Sequence, residues 1–141
     1  FTTNFGSTLD PFLKETGINP SRIVVYNLWR RFDQDGVDTP FAVCDKRSVS
    51  EKELIPTDLF NYLPDQPEAL TVEICQSSHS ESHKWYFYPE MTKDEVLMFK
   101  TYDSDEKPFI PTLHSAFDYP DTPQGVTPRE SIEVRAVCFF D

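Results

Sequence analysis

Glycine is scarce in this chain, at 4 of 141 residues, and the cysteines number only three. Neither the G-x-x-x-x-G-K loop that cradles nucleotide phosphates nor the G-x-S-x-G turn of hydrolases occurs. Cys44, Cys75 and Cys138 are odd in number, widely spaced and without a C-x-x-C pair, so they make no disulfide framework. They read as free thiols of a reducing compartment, and a cytoplasmic protein is expected. Basic residues are outnumbered, 13 against 24 acidic ones, for a formal net charge of −11. That balance argues against nucleic acid and against an anionic membrane surface, both of which need a basic face. No apolar run approaches the roughly 20 residues of a membrane span, and no signal-like segment is visible.

Aromatic residues are abundant, with 12 Phe, 6 Tyr and 2 Trp, and there are 12 prolines. Together with the β-branched residues they predict a sheet-built core with Pro-punctuated loops. The length suits a single domain spanning residues 1–141, or part of a larger one. The chain starts at Phe1 without an initiator Met, so a fragment or processed product is expected.

Asp10-Pro11 reads as an N-cap and first helical position, with Gly17 as the stop of a short helix over residues 10–16. Arg22 to Arg30 is a β-branched and aromatic strand with apolar residues on both faces. Residues 33–39 form a polar turn, and Phe41 to Cys44 a short extended piece. Ser48-x-x-Glu51 has capping-box spacing, for a helix that ends at Pro56. Further strands are expected at Ala69 to Cys75, Trp85 to Tyr88, Val96 to Tyr102, Pro111 to His114 and Ser131 to Phe140, with a polar connector from Gln76 to Glu81. Trp85 and Tyr86 read by default as core aromatics. The pattern is that of a mainly β sandwich or barrel.

Two constellations could carry chemistry. The first is His114, followed 15 residues later by Arg129-Glu130-Ser131 at the head of the last strand. Histidine can hold a metal, and Arg-x-Ser can grip a carboxylate with a guanidinium fork and a hydroxyl. Alternation puts Arg129, Ser131, Glu133 and Arg135 on one strand face, as a solvated Arg–Glu ladder or as a carboxylate clamp in a barrel mouth. The opposite face, Ile132, Val134, Ala136, Cys138 and Phe140, reads as core. The second is His79-Ser80-Glu81, an H-x-E pair that could join His114 around one metal, although its Ser-rich surroundings read as a solvated loop. Asn27, Arg30, Trp85 and Tyr102 are further candidates for lining a pocket.

The blocks Val25-Tyr26-Asn27-Leu28-Trp29-Arg30, Ala42 to Val49, His83-Lys84-Trp85-Tyr86-Phe87-Tyr88-Pro89, Asp94 to Ser104, His114-Ser115-Ala116-Phe117-Asp118 and Pro128 to Arg135, in this order, resemble the CmcJ/AsaB-like hydroxylase/desaturase family of secondary metabolism. The resemblance covers residues 22–141. It implies a double-stranded β-helix (a jelly-roll or cupin-like fold) with short flanking helices, and an oxygenase using Fe(II), 2-oxoglutarate and O2 on a small molecule. His114 would be the distal iron ligand, and Arg129 with Ser131 would hold the far carboxylate of 2-oxoglutarate. The family's His-x-Asp motif, source of the other two ligands, is not in this sequence and is expected upstream of Phe1, making this the C-terminal portion of the fold. His79 and Glu81 would then lie in a variable loop. The outcome would be hydroxylation, desaturation or oxidative cyclisation. The alternatives are a metal-free cupin-like binding domain and an iron oxidase that does not use 2-oxoglutarate.

Overall fold

The structure is a computed structural model. It describes residue 9 and residues 12–32, 38–59 and 72–141, with backbone alone for residues 58, 59, 72 and 73. The described residues form eight strands: β1 (Arg22–Arg31), β2 (Phe41–Cys44), β3 (Leu54–Leu59), β4 (Val72–Ser77), β5 (Trp85–Phe87), β6 (Leu97–Asp103), β7 (His114–Ala116) and β8 (Ser131–Phe140). They form two three-stranded antiparallel sheets, ordered β6-β1-β8 and β5-β2-β7, with β3-β4 as a separate pair. The expected mainly β architecture is what the chain adopts.

The two sheets meet through aromatic side chains. Trp29 of β1 stacks on Phe41 of β2, with ring centroids 4.5 Å apart and planes 11° from parallel. Phe99 of β6 and Met91 join them in one buried cluster, and each well-placed ring pair adds about 0.5–1.5 kcal/mol beyond its burial. A second cluster, Cys44, Val49, Leu54 and Leu113, joins β2 to the β3–β4 pair.

β1 lies between β6 and β8 and ties them together. Its ladder with β8 runs without a break from Arg22↔Phe140 to Arg31↔Ser131. Its ladder with β6 shifts register between Val25 and Tyr26, leaving Thr101 as the extra residue on β6. Such a bulge bends the strand and re-aims side chains. The register is pinned at one end by Asp103, which is fully buried. Its carboxylate accepts two bonds from Arg22, at 2.9 and 2.6 Å, and one from Lys100 at 2.6 Å. These bonds, Arg22 first, hold the Asp103 carboxyl well below the usual carboxylate range.

Several sequence expectations are corrected here. The segment after Ser48 is not a helix. It makes two 3-10 turns, Lys46–Ser48 and Glu51–Glu53, and then enters strand β3. The capping box is Ser50 with Glu53, whose side chain accepts the Ser50 N–H at 2.7 Å. Pro56 sits inside β3, which pairs only with β4 among the described residues, and an edge strand tolerates the missing N–H. Trp85 and Tyr86 are 45% and 58% exposed rather than core. Ile132 and Val134 are 47% and 54% exposed rather than core, while Arg22 lies over Phe140 further along the same face of β8. The helical turn at residues 12–16 ends as expected at Gly17, whose φ of +70° suits glycine and whose N–H donates to Leu13 O at 2.9 Å. Its proposed start at Asp10-Pro11, residues 33–37 of the polar turn and residues 69–71 of one predicted strand lie outside the described residues.

Asp103→Asn tests the network that pins β6. It should lower stability by about 2 kcal/mol, less than the ~3–5 of a fully buried pair because Arg22 is 38% exposed. A carboxyl whose folded-state pKa is lowered stabilises the fold above the unfolded-state value near 4 and loses that contribution as pH falls toward the folded-state value. Urea midpoints should therefore fall from pH 5 to pH 3 more steeply in the wild type than in Asp103→Asn. Parallel pH profiles would remove Asp103 as the pin.

Candidate active site

His114 opens β7 and lies across from Val43 of β2. Its Nδ1 is 2.9 Å from the carbonyl oxygen of Thr112. A carbonyl can only accept, so Nδ1 carries the proton and the lone pair belongs to Nε2. This arrangement, one ring nitrogen tied to the backbone and the other left as donor, is how proteins present histidine to a metal. The ring is flanked by Phe99 and Phe41, with centroids 4.8 and 5.7 Å away, which restrict its rotation.

His114 lines a cavity of about 630 Å3. Ile55 and Ile74 of the β3–β4 pair, Trp85 of β5 and Leu113 supply apolar wall, and Gln76, Ser77, Thr101, Thr112, Ser115 and Arg135 supply polar groups. Beneath it, a polar ladder crosses all three strands of the first sheet. The Thr101 hydroxyl lies 3.1 Å from Oδ1 of Asn27, and the Asn27 amide donates to Glu133 Oε1 at 2.8 Å. Asn27 is fully buried, and this ladder satisfies it. Glu133 in turn faces Arg135 at 3.8 Å.

Arg129 occupies a different place. Its guanidinium carbon lies 5.5 Å from the Trp29 ring centroid, and Nη1 donates to the carbonyl of Thr39. It lines a small recess with Trp29, Phe41 and Asp38. Phe41 thus touches the Arg129 recess on one side and the His114 ring on the other. Ser131 is exposed at the first position of β8, opposite Arg31.

The other sequence candidates scatter. Trp85 lines the cavity, and Asn27 stands one hydrogen bond from its Thr101 wall. Arg30 instead donates to Lys93 O at 2.7 Å and lies over Phe32. Tyr102 is buried against Phe109, and burial pushes its phenol pKa up. Neither lines the cavity. His79 and Glu81 are 83% and 98% exposed and 3.8 Å apart in the loop before β5. His83 is paired with Glu53 at 3.0 Å. Among the described residues, no group of three or more His, Cys, Asp or Glu side chains could hold a metal. The Thr101 bulge and the Asn27–Glu133 bond were not foreseen, since their partners lie 74 and 106 residues apart in sequence.

Comparison with known proteins matches residues 9–139 to the family described as an oxidoreductase/YMDC permease-like domain. The Fe(II)/2-oxoglutarate-dependent dioxygenase nvfI of Aspergillus novofumigatus is 35% identical over 119 residues, 84% of this chain and 41% of that protein. A hydroxylase/desaturase of Cercospora beticola is 32% identical, over 88% of this chain and 39% of its own length. The structure of the iron and alpha-ketoglutarate-dependent endoperoxidase NvfI superposes with a TM-score of 0.73 at 32% identity, over 98% of this chain and 47% of that one. The chain belongs to this oxidoreductase family of hydroxylases and desaturases. The jelly-roll expectation is met by the NvfI superposition. This chain spans about half the length of the relatives it matches, or somewhat less.

The tautomer assignment is directly testable. Nitrogen-15 spectra of metal-free protein near pH 8 should show His114 protonated at Nδ1, with Nε2 in the chemical-shift range of an unprotonated ring nitrogen. A proton on Nε2 would remove the ring as a ready ligand.

Proposed function

We propose that residues 1–141 form the C-terminal portion of one double-stranded β-helix in an Fe(II)/2-oxoglutarate-dependent oxygenase. Its substrate would be a small molecule of secondary metabolism, oxidised with O2. The observation that carries this reading is His114, its Nε2 free and its ring wedged between two phenylalanines, at the wall of a cavity that could admit a small molecule. Imidazole suits non-haem iron. One donor does not complete a facial triad, and His79, Glu81 and His83 are held elsewhere. The remaining two ligands would come from polypeptide corresponding to the part of the relatives that this chain does not span.

Bound iron, with a 2-oxoacid and O2, would supply an oxidant able to remove hydrogen from an unactivated C–H bond. The residues of this chain position and shield that chemistry. The Thr112 carbonyl fixes the His114 tautomer, and Phe41 and Phe99 hold its plane and exclude water from its flank. Arg129, with Ser131, would take the far carboxylate of 2-oxoglutarate. The backing of Trp29 and the bond to Thr39 leave guanidinium N–H groups to donate. Trp85 would shape the substrate side of the chamber.

Among the described residues, no helix is long and apolar enough to cross a membrane. Cys44, Cys75 and Cys138 form no disulfide among the described residues. Both facts fit a location in the cytoplasm, which is part of the proposal.

Anaerobic titration of the natural full-length protein with Fe(II) and 2-oxoglutarate should produce the weak visible charge-transfer band of a chelated 2-oxoacid. His114→Ala should abolish the band. Arg129→Ala should keep iron and weaken 2-oxoglutarate by roughly tenfold or more, the worth of a lost charge-assisted pair. Iron binding with no band at any 2-oxoglutarate concentration would point to an iron oxidase that does not use this cosubstrate. Failure of the wild type to bind iron would leave a metal-free binding domain as the better account.

A further inference from the structure

Arg135 carries a feature that the proposed chemistry does not use. It projects from the middle of β8 into the His114 cavity. Among the described residues lining that cavity it is the one with a fixed charge. Its ionic contact is Glu133, at a distance of 3.8 Å that is too long for a hydrogen bond. Glu133 is moreover engaged by Asn27 at 2.8 Å, which orients the carboxylate along the sheet. A guanidinium presents five N–H donors in a planar fork, so Arg135 has several to spare toward the cavity. The cavity wall is apolar at Ile55, Ile74, Trp85 and Leu113 and polar at Gln76 and Ser77, and among the described residues none of these side chains is hydrogen-bonded to Arg135. The Arg135 side chain is 50% exposed, so water screens its charge, while the geometry of the fork still matches a carboxylate.

We propose that Arg135 binds an anionic oxygen, a carboxylate, on a substrate whose remaining body is apolar and lies against Trp85, Ile55 and Ile74. The inference rests on the reading of the His114 cavity as the reaction chamber. A carboxylate could in principle also come from 2-oxoglutarate. That molecule has no apolar body to fill these walls, and a volume of about 630 Å3 falls in the range of sites for larger ligands. Arg135 would therefore set substrate orientation, with the acidic end fixed and the hydrocarbon presented toward His114.

The test uses the natural full-length protein, wild type beside Arg135→Gln, with dodecanoate and methyl dodecanoate as probes and calorimetry as the readout. The wild type should bind the acid at least about tenfold more tightly than the ester, as expected for a charge-assisted pair. Arg135→Gln should erase that preference while still binding the ester, which also reports that the variant is folded. Its Fe(II) and 2-oxoglutarate titration should match that of the wild type. Equal affinity for acid and ester in the wild type would overturn the proposal, as would a preference that survives in Arg135→Gln. Loss of 2-oxoglutarate binding with the dodecanoate preference intact would reassign Arg135 to the cosubstrate and likewise overturn it. An intact, Arg135-dependent preference in a protein that binds no iron would support the anion site while the oxygenase reading fails.

Discussion

The buried carboxylate of Asp103 sets the geometry on which the site depends. Arg22, at the start of β1, grips it with two hydrogen bonds, and Lys100 adds a third from the same strand. Lys100 also contacts Glu106, which Lys46 reaches from the 3-10 turn after β2, so one chain of charges joins both sheets. Such a network contributes little net stability relative to an apolar core of equal volume, but it penalises any alternative pairing that would leave a charge buried alone. Here the alternative is specific. A one-residue slip of β6 would turn Phe99 outward and bring Met98, now 62% exposed, inward. The phenylalanine that flanks His114 would be lost.

From that fixed register the site assembles in steps. The bulge at Thr101 directs its hydroxyl to Asn27 and places it in the cavity wall. Asn27, in the middle of β1, holds Glu133 on β8. Each member of the ladder is satisfied, and a fully paired polar network inside a sheet is rigid as well as specific. His114 comes from the other sheet, and its ring is pressed between Phe41 of its own sheet and Phe99 of the facing one. Closure of the two sheets and orientation of the imidazole are thus the same packing event.

Much of this was legible in the sequence where a local pattern determines the outcome. The run Arg22 to Arg30 is so rich in β-branched and aromatic residues that its strand was read to within one residue, and Ser131 to Phe140 matched at both ends. The alternation that groups Glu133 and Arg135 also held, since both meet the interior face through Asn27 and the cavity. What failed were inferences from residue type to environment. Trp85, Ile132 and Val134 look like core, but burial depends on what packs over them, and a strand's own sequence does not encode that. Strand β3 was hidden by a capping-box pattern and by Pro56, both of which argue locally against a strand, and only its edge position makes it possible. The partner of Asn27 could not be read at all, because a contact across 106 residues is a product of topology.

The spacing of the two arginines carries the argument furthest. Arg129 and Arg135 are six residues apart, an even number, so both belong to one face of an extended chain, yet they stand up to about 20 Å apart along it. No single small ligand needs both. Between them in sequence lies Glu133, and the Trp29–Phe41 stack borders the recess backed by indole, with Phe41 reaching the His114 ring on the cavity side. The recess is small, about 20 Å3, and presents a guanidinium already oriented by Thr39 to whatever end group reaches it. The cavity is wide, and among the described residues its guanidinium has one ionic contact, the long one to Glu133, which leaves it N–H groups to offer an acidic end. Phe41 and His114 stand where the two meet. On the proposed reading, Arg129, two residues before β8, would take the cosubstrate and Arg135, within β8, the molecule to be oxidised, and the even spacing between them would keep the two ligands apart on one face of the chain.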